Sequence, residues 1–406
     1  MRVVAKSIGL VGLGVLLIWL VITTSFTAYL ARTDPASALR LQSDDPVALV
    51  TLAEQRLRAG GIAVAREMTE TALRSHPLNA DALSLLGQIS DINGDRARAS
   101  SFMAAAARLS LHDSIAVHWT LRERLEAHDI PAALQLADAL FRSRPEMIDS
   151  IAPEIGPLAQ DAATRRQLIA LLATNPPWRT AFLARLCLVL PDARTMLDIL
   201  LDLAGTHAPP SRAEVNIYLD FLIAQGFAGL AYYAWLQFLP ADQLATSGLL
   251  FNGAFLAMPS GSPFDWRISL GVGAMSEFIS HPDQTSPGAL KLTFGPGRVE
   301  LGDIAQIAVM PAGDYHLRGR ENVQLTGRRG LQWHVLCSGG ANIGSMTPTI
   351  DTGRDWQRFE LEFTIPEAGC PFQIVRLVFD PRRPSERTIS GTAIYTAMEI
   401  VRDRGP

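Results

Sequence analysis

Residues 356–366 read WQRFELEFTIP. Phe359, Leu361, Phe363 and Ile365 fall at every second position, with Glu360 and Glu362 between them. Successive side chains of an extended chain point to opposite faces, so the alternation describes a strand with one face buried and the other in water. The same period recurs upstream in ALKLTF, where Leu290, Leu292 and Phe294 share a face. FDWRISL, IAQIAVM, DYHLRGR, LQWHVLC, FQIVRLVFD and TAIYTAMEIV are further strand candidates, parted by turns that carry Gly or Pro. About eight or nine short strands with no helical spacer predict an antiparallel β-sandwich over 248–406.

Before Gly248 the period is helical. LVTLAEQRL and AVAREMTETAL place apolar or small residues at i, i+3, i+4 and i+7, the spacing of a helix with one buried stripe. Ala59-Gly60-Gly61 and Asn93-Gly94-Asp95 supply the breaks. Sliding the sequence by 34 positions (52 to 86) sets Leu52-Ala53 on Leu86-Gly87, Gly60 on Gly94, Ala65 on Ala99 and Ala72 on Ala106. Ala133 continues the series, and Pro145 stands two periods after Pro77.

Over 46–147 this pattern resembles the tetratricopeptide repeat, with departures at Thr120, Leu121 and His128. The resemblance implies stacked helix pairs and a protein-binding concave face. Some members of that family clamp a peptide carboxylate with Lys, Asn and Arg. The comparable inner-face positions here, Val50, Glu54, Ser84, Gln88, His118 and Arg122, do not resemble such a clamp. From 157 to about 245 the helical pattern continues without a clean period, in RRQLIALLA, EVNIYLDFLIAQG and LAYYAWLQFL among others. The whole of 36–245 therefore reads as one all-α solenoid, with Tyr232, Tyr233, Trp235 and Phe238 as core and capping surface, a binding groove being the other reading.

Ser7 to Ala31 contain no charged residue, enough for a helix of roughly 20 residues to cross about 30 Å of hydrocarbon. Arg2 and Lys6 precede it, which orients the N-terminus to the cytoplasm. Residues 1–35 thus read as a cytoplasmic tip and single transmembrane anchor in a bacterial inner membrane, with the bulk of the chain periplasmic. A cleaved signal peptide is the alternative. Against it, the apolar run exceeds the usual core of roughly 7–15 residues, and Phe26-Thr27-Ala28 and Tyr29-Leu30-Ala31 are poor cleavage sites.

A length of 406 residues calls for two or three units, and 48% hydrophobic residues with a net charge of −4 describe a folded chain. Acidic residues number 40 against 36 basic ones, with no basic block, so nucleic acid is not an expected partner.

The strand region is similar to the jelly-roll carbohydrate-binding modules. The resemblance rests on Asn252-Gly253-Ala254-Phe255, Phe264-Asp265-Trp266, the GLQW strand, Trp356 leading into FELEFTIP, and a C-x-x-Q-x-x-x-L strand from Cys370 to Leu377. It implies sugar recognition by aromatic rings with polar side chains beside them. Trp266 and Tyr315, set beside Asp265, Arg267, Asp314 and His316, are the surface candidates, and His334 is a third. Trp333 and Trp356, among apolar strand positions, are expected in the core.

In GLQWHVLCSGG, 330–340, alternation puts His334 and Cys337 on opposite faces, which argues against a local nucleophile pair or metal site. An exported chain favours a disulfide between Cys337 and Cys370; two buried free thiols are the other reading. Cys187 reads as core. Glu360 and Glu362 share a face, and Asp351 and Asp355 bracket a turn, but acids alternating along a solvated strand are ordinary. No phosphate loop, zinc signature or nucleophile elbow is present. No catalytic residue, metal or cofactor is expected.

The sequence thus predicts a multidomain, non-enzymatic scaffold of envelope or exopolysaccharide assembly or secretion: transmembrane helix, tetratricopeptide-like solenoid, jelly-roll sandwich. Its partners would be envelope or secretion-system proteins on the solenoid and a polysaccharide on the sandwich. The alternatives are a purely protein-binding scaffold with a structural sandwich and, third, a polysaccharide-modifying enzyme.

Overall fold

The computed structural model describes residues 25–403, apart from 246, 284 and 354. The predicted anchor lies almost wholly outside the described residues. Its last part, from residue 25 to residue 33, is helical (α1), and among the described residues no helix is long and apolar enough to cross a membrane.

Helices α2 (Pro35–Leu41), α3 (Pro46–Arg58), α4 (Ile62–Ser75), α5 (Ala80–Ile92), α6 (Arg96–Leu109), α7 (Ser114–Glu126) and α8 (Ile130–Ser143) follow. The repeat is written in their caps. Asp45, Asn79 and Asp113 each accept a hydrogen bond from a backbone N–H of the first turn, at 2.8, 3.0 and 3.0 Å, so α3, α5 and α7 begin at equivalent points. Ala53, Ala65, Ala72, Ala99 and Ala106 are all fully buried where the pairs meet. At Gly87 a Cβ would lie 2.8 Å from Cγ of Met103, so that residue sets how closely α5 and α6 approach.

The turns inside the three pairs have positive φ at Gly60 (83°), Gly94 (78°) and His128 (56°). A side chain in that conformation costs roughly 1–2 kcal/mol that glycine avoids. We expect His128→Gly to stabilise the third pair by about 1 kcal/mol, read as a shift in urea midpoint. Destabilisation would mean that the hydrogen bond between His128 Nδ1 and the Glu126 carbonyl outweighs the strain.

Helices α9 (Ile148–Ile155), α10 (Ala162–Leu172) and α11 (Arg179–Val189) complete the first unit, in which Phe141, Trp178 and Phe182 pack ring to ring at 4.9–5.7 Å. Cys187 is buried there as a free thiol, its pKa pushed up to about 12 by desolvation, which makes it unreactive at neutral pH.

The chain divides into two compact units between Leu190 and Pro191. The second unit therefore takes α12 (Ala193–Ala204), α13 (Arg212–Ala224), α14 (Ala228–Leu236) and α15 (Ala241–Ala245), helices that sequence patterning alone attaches to the solenoid. The reason is aromatic and polar contact. Trp235 packs on Phe251 and Phe264 at 5.0 and 5.6 Å, Tyr232 on Phe264 at 5.4 Å, Arg267 pairs with Asp220 at 2.8 Å, and Ser262 donates to Asn216 at 2.7 Å.

Ten strands form the sandwich: β1 (Arg267–Leu270), β2 (Ala274–Ser280), β3 (Gly288–Phe294), β4 (Gly302–Ala308), β5 (Gly313–Thr326), β6 (Leu331–Cys337), β7 (Asn342–Ser345), β8 (Gln357–Ile365), β9 (Gln373–Phe379) and β10 (Ser390–Arg402). One sheet has the order β1-β4-β9-β6-β7 and the other β2-β3-β10-β5-β8, with antiparallel pairing throughout. Alternation fills the space between them, as in β8, where Phe359, Leu361, Phe363 and Ile365 are buried while the residues between are exposed. In β10 the register slips between Thr396 and Glu399, with Ala397 at φ 47°. Before this bulge the odd-numbered Ala393 and Tyr395 point inward; after it the even-numbered Met398 and Ile400 do. Cys337, closing β6, and Cys370, leading into β9, form a disulfide that fastens two neighbouring strands.

One carboxylate lies inside the sandwich. Glu321 is 5% exposed, opposite Tyr395 in register, and accepts a hydrogen bond from Thr349 Oγ1 at 3.0 Å. Burial pushes its pKa up, against the pull of Thr349, and burial together with the Glu321 charge pushes the Tyr395 phenol well above its ordinary value. A carboxyl whose pKa rises on folding holds its proton more tightly in the native state. Its contribution is fully present below the unfolded pKa and fades as pH climbs through the folded one. Glu321→Gln should therefore raise the Tm of the sandwich by about 2–4 °C near pH 8, on the order of 1 kcal/mol for this size, and leave it almost unchanged near pH 4. An equal loss at both pH values, followed by tryptophan fluorescence, would show that the carboxyl is needed for its hydrogen bond instead.

Candidate functional site

Two of the three residues singled out from sequence as ligand contacts are core. Trp266 is 0% exposed, its indole against Phe255 and Trp333 at 5.2 and 5.6 Å and its Nε1 donating to the Asn252 carbonyl at 3.2 Å. Tyr315 is 1% exposed, stacked on Phe363 at 5.7 Å, with its hydroxyl donating to Pro311 O at 2.9 Å. The surface position expected for both is corrected by these contacts. Polar neighbours misled: Asp265 is itself buried, accepting from the N and Oγ of Ser260 and from the Trp266 backbone.

His334 does lie on the outer face of its sheet, half-buried, between Arg376 of β9 and Ser345 of β7 in register. Its burial pushes its pKa down, with the Asp380 charge opposing, and its Nε2 is buried with no hydrogen-bond partner. No aromatic ring shares its register row.

Trp356 lies on the outer face of the sandwich. Trp333 is fully buried as expected, but Trp356 is half-exposed, with the Arg320 guanidinium 5.2 Å from its ring centre. Residue 356 has the parity of Glu360 and Glu362 on β8, hence the outer side; that parity was the signal available in the sequence. The register of β5 with β8 sets Arg320 opposite Arg358, and Asn322 follows Arg320 on the outer face of β5. Across β10 and β3 the same face carries Gln324, Thr392, Thr293 and Lys291. Amides, hydroxyls and guanidinium groups around an accessible indole are the donor and acceptor set that a sugar ring requires.

Arg320 is locked from behind. It pairs with Asp283 at 2.8 Å and donates to Ser286 Oγ at 3.1 Å and to Thr285 Oγ1. Burial would raise the Asp283 pKa, but hydrogen bonds from Thr285 and Ser286 and the Arg320 charge outweigh it and hold the carboxyl below its ordinary range.

Farther along the face, Arg318 donates to Glu360 at 2.8 Å, and His316 bridges Glu360 and Asp403 at 3.0 and 2.6 Å. The Arg318 hydrogen bond, with the charges of Arg318 and His316, holds the Glu360 carboxyl below its usual range. A glycosidase acid requires the opposite shift.

A second hollow in this unit, about 640 Å³, lies between α13–α14 and the segment entering the sandwich, and Trp235, Phe238, Phe251, Met258 and Arg212 help to line it.

In the first unit, the inner-face positions separate into two groups. Val50 and Ser84 are buried, 5% and 3% exposed, and Glu54 pairs with Arg58 at 3.0 Å. Gln88, His118 and Arg122 line a groove of about 380 Å³ on α5 and α7, together with Ile92, Ile115 and Trp119. His118 Nε2 lies 3.0 Å from Glu154, whose other oxygen is 4.0 Å from Arg122. Ile92 and Ile115 are 57% and 52% exposed, a pair of apolar side chains open to a partner. Trp119, adjacent to His118 on α7, was not singled out from sequence.

No family model matches the chain, and no curated protein matches it. Among solved structures, TmCBM61 in complex with β-1,4-galactotriose is 13% identical over 39% of this chain and 100% of its own, with a TM-score of 0.28. The CBM22-1 xylan-binding domain of Paenibacillus barcinonensis Xyn10C is 12% identical over 35% and 87%, with a TM-score of 0.24. YrrB, a TPR protein with an unusual peptide-binding site, is 18% identical over 44% and 86%, with a TM-score of 0.25. None of these likenesses is close enough to carry the fold, which rests on the helix caps and strand register described above.

Proposed function

We propose that this chain is a non-enzymatic scaffold of the bacterial envelope, anchored by its N-terminal segment in the inner membrane with its bulk in the periplasm. Its helical repeats hold a partner protein, and its sandwich holds a glycan, in exopolysaccharide assembly or secretion. The observation that supports this reading is, among the described residues, a partly accessible tryptophan on each unit beside charged and amide side chains: Trp119 in the α5–α7 groove and Trp356 on the outer face of β8. A disulfide between Cys337 and Cys370 fits an oxidising compartment. The downward shift at Glu360 speaks against that residue as a general acid.

The test is affinity electrophoresis of the full chain through gels containing a panel of envelope and secreted polysaccharides. Retardation by at least one polymer, abolished by Trp356→Ala and unaffected by Trp119→Ala, is the expected result. No retardation by any polymer would leave the sandwich a structural module and favour the purely protein-binding scaffold.

A further inference from the structure

On the outer face of β5 and β8 the cross-strand pairs are complementary until the Trp356 end is reached. Thr364 Oγ1 donates to Asp314 at 2.6 Å, His316 stands opposite Glu362, and Arg318 donates to Glu360 opposite it. The next pair is Arg320 with Arg358. Two like charges directly opposite on neighbouring antiparallel strands repel each other and are unfavourable in a sheet. Asp283 neutralises Arg320, which lies over the indole of Trp356. Arg358 is exposed, and among the described residues it has neither an ion-pair nor a hydrogen-bond partner. The unmatched positive charge thus shares the outer face of β8 with the half-buried ring of Trp356, two residues away, in a chain whose net charge is −4.

Glu360, two residues on along the same face, is taken by Arg318 at 2.8 Å, and Asp355 and Asp351 lie in the turn ahead of β8, where Asp351 accepts from the Gly353 N–H at 2.8 Å. None of these carboxylates pairs with the two-pronged guanidinium of Arg358. A carboxylate fits such a fork through two parallel N–H···O bonds, and a pyranose carrying that carboxylate presents its flat face to an indole alongside.

We propose that the sandwich face selects an acidic polysaccharide, a uronate-bearing glycan, with a sugar ring on Trp356 and its carboxylate on Arg358. This rests on the glycan reading above and adds the class of sugar. Asn322, Gln324 and Thr392 on the same face supply bonds to hydroxyls, and Asp283 keeps Arg320 in place beneath the indole.

Binding is measured with the full chain against four probes: polygalacturonate, the same polymer fully methyl-esterified, alginate, and dextran sulfate. Either uronate polymer should bind at least tenfold more tightly than the esterified polymer. Arg358→Gln should lower uronate affinity about tenfold, consistent with roughly 1.4 kcal/mol for a charge-assisted contact. Trp356→Ala should lower it tenfold or more, with the fold intact by far-UV circular dichroism. Equal binding of acid and esterified polymers, with Arg358→Gln without effect, would overturn the acidic selectivity and leave glycan binding standing. Equally tight binding of dextran sulfate, insensitive to Trp356→Ala, would reduce the face to a charged patch and overturn the proposal. Binding to none of the sugars would overturn it together with the glycan reading.

Discussion

Replacing both Cys337 and Cys370 by serine is expected to cost the sandwich about 3–4 kcal/mol. The bridge closes a loop with a sequence separation of 33, and the chain-entropy relation gives roughly that figure at 25 °C for such a loop. The loss should be visible as a lower urea midpoint in the fluorescence of Trp266 and Trp333, both fully buried in this unit. A reductant should produce the same shift in the native chain and none in the double variant. Because Cys337 and Cys370 are 4% and 7% exposed, reduction should require partial opening of the β6–β9 pair at its cysteine end and proceed slowly under native conditions. An unchanged midpoint would mean that the register of β6 on β9 holds the strands without the bridge.

The second large effect is at Trp266. Trp266→Ala removes a fully buried indole from between Phe255 and Trp333 and deprives the Asn252 carbonyl of its donor, at a cost of about 3–5 kcal/mol. Trp266→Phe keeps most of the volume and should cost markedly less. Glycan binding, if measured on both, should survive in Trp266→Phe. A Trp266→Phe variant that folds normally but no longer binds sugar would return Trp266 to the ligand surface, against its burial.

These outcomes also mark where sequence reasoning was sufficient. Alternation in β8 and the repeat spacing of Gly60 to Gly94, Ala65 to Ala99 and Ala72 to Ala106 were legible because period is a local property of the chain, and the strand and the helix pairs fold as read. Tyr315 and Trp356 were misassigned because neighbour polarity was weighed above parity. Tyr315 shares the face of Leu317, and Trp356 shares that of Glu360. Trp266 precedes β1 in a loop, where no period applies, and its neighbour Asp265 is buried by hydrogen bonds that only the folded chain creates. The slip at Ala397 is equally invisible, since a bulge shifts parity without changing the kind of residue that follows. Helix pattern shows that α13 and α14 are rich in apolar residues, but not which surface covers them.

The packing of Tyr232 and Trp235 on Phe251 and Phe264 has a consequence for how this protein can be divided or recombined. A strand module lifted out at residue 248, as its composition invites, would leave behind the rings that cover two of its own phenylalanines and the Asp220 that pairs with Arg267. The transferable piece begins near Pro191 and carries its helices with it. A fragment meant to keep the sandwich intact is therefore cut inside the helical region, not at its end.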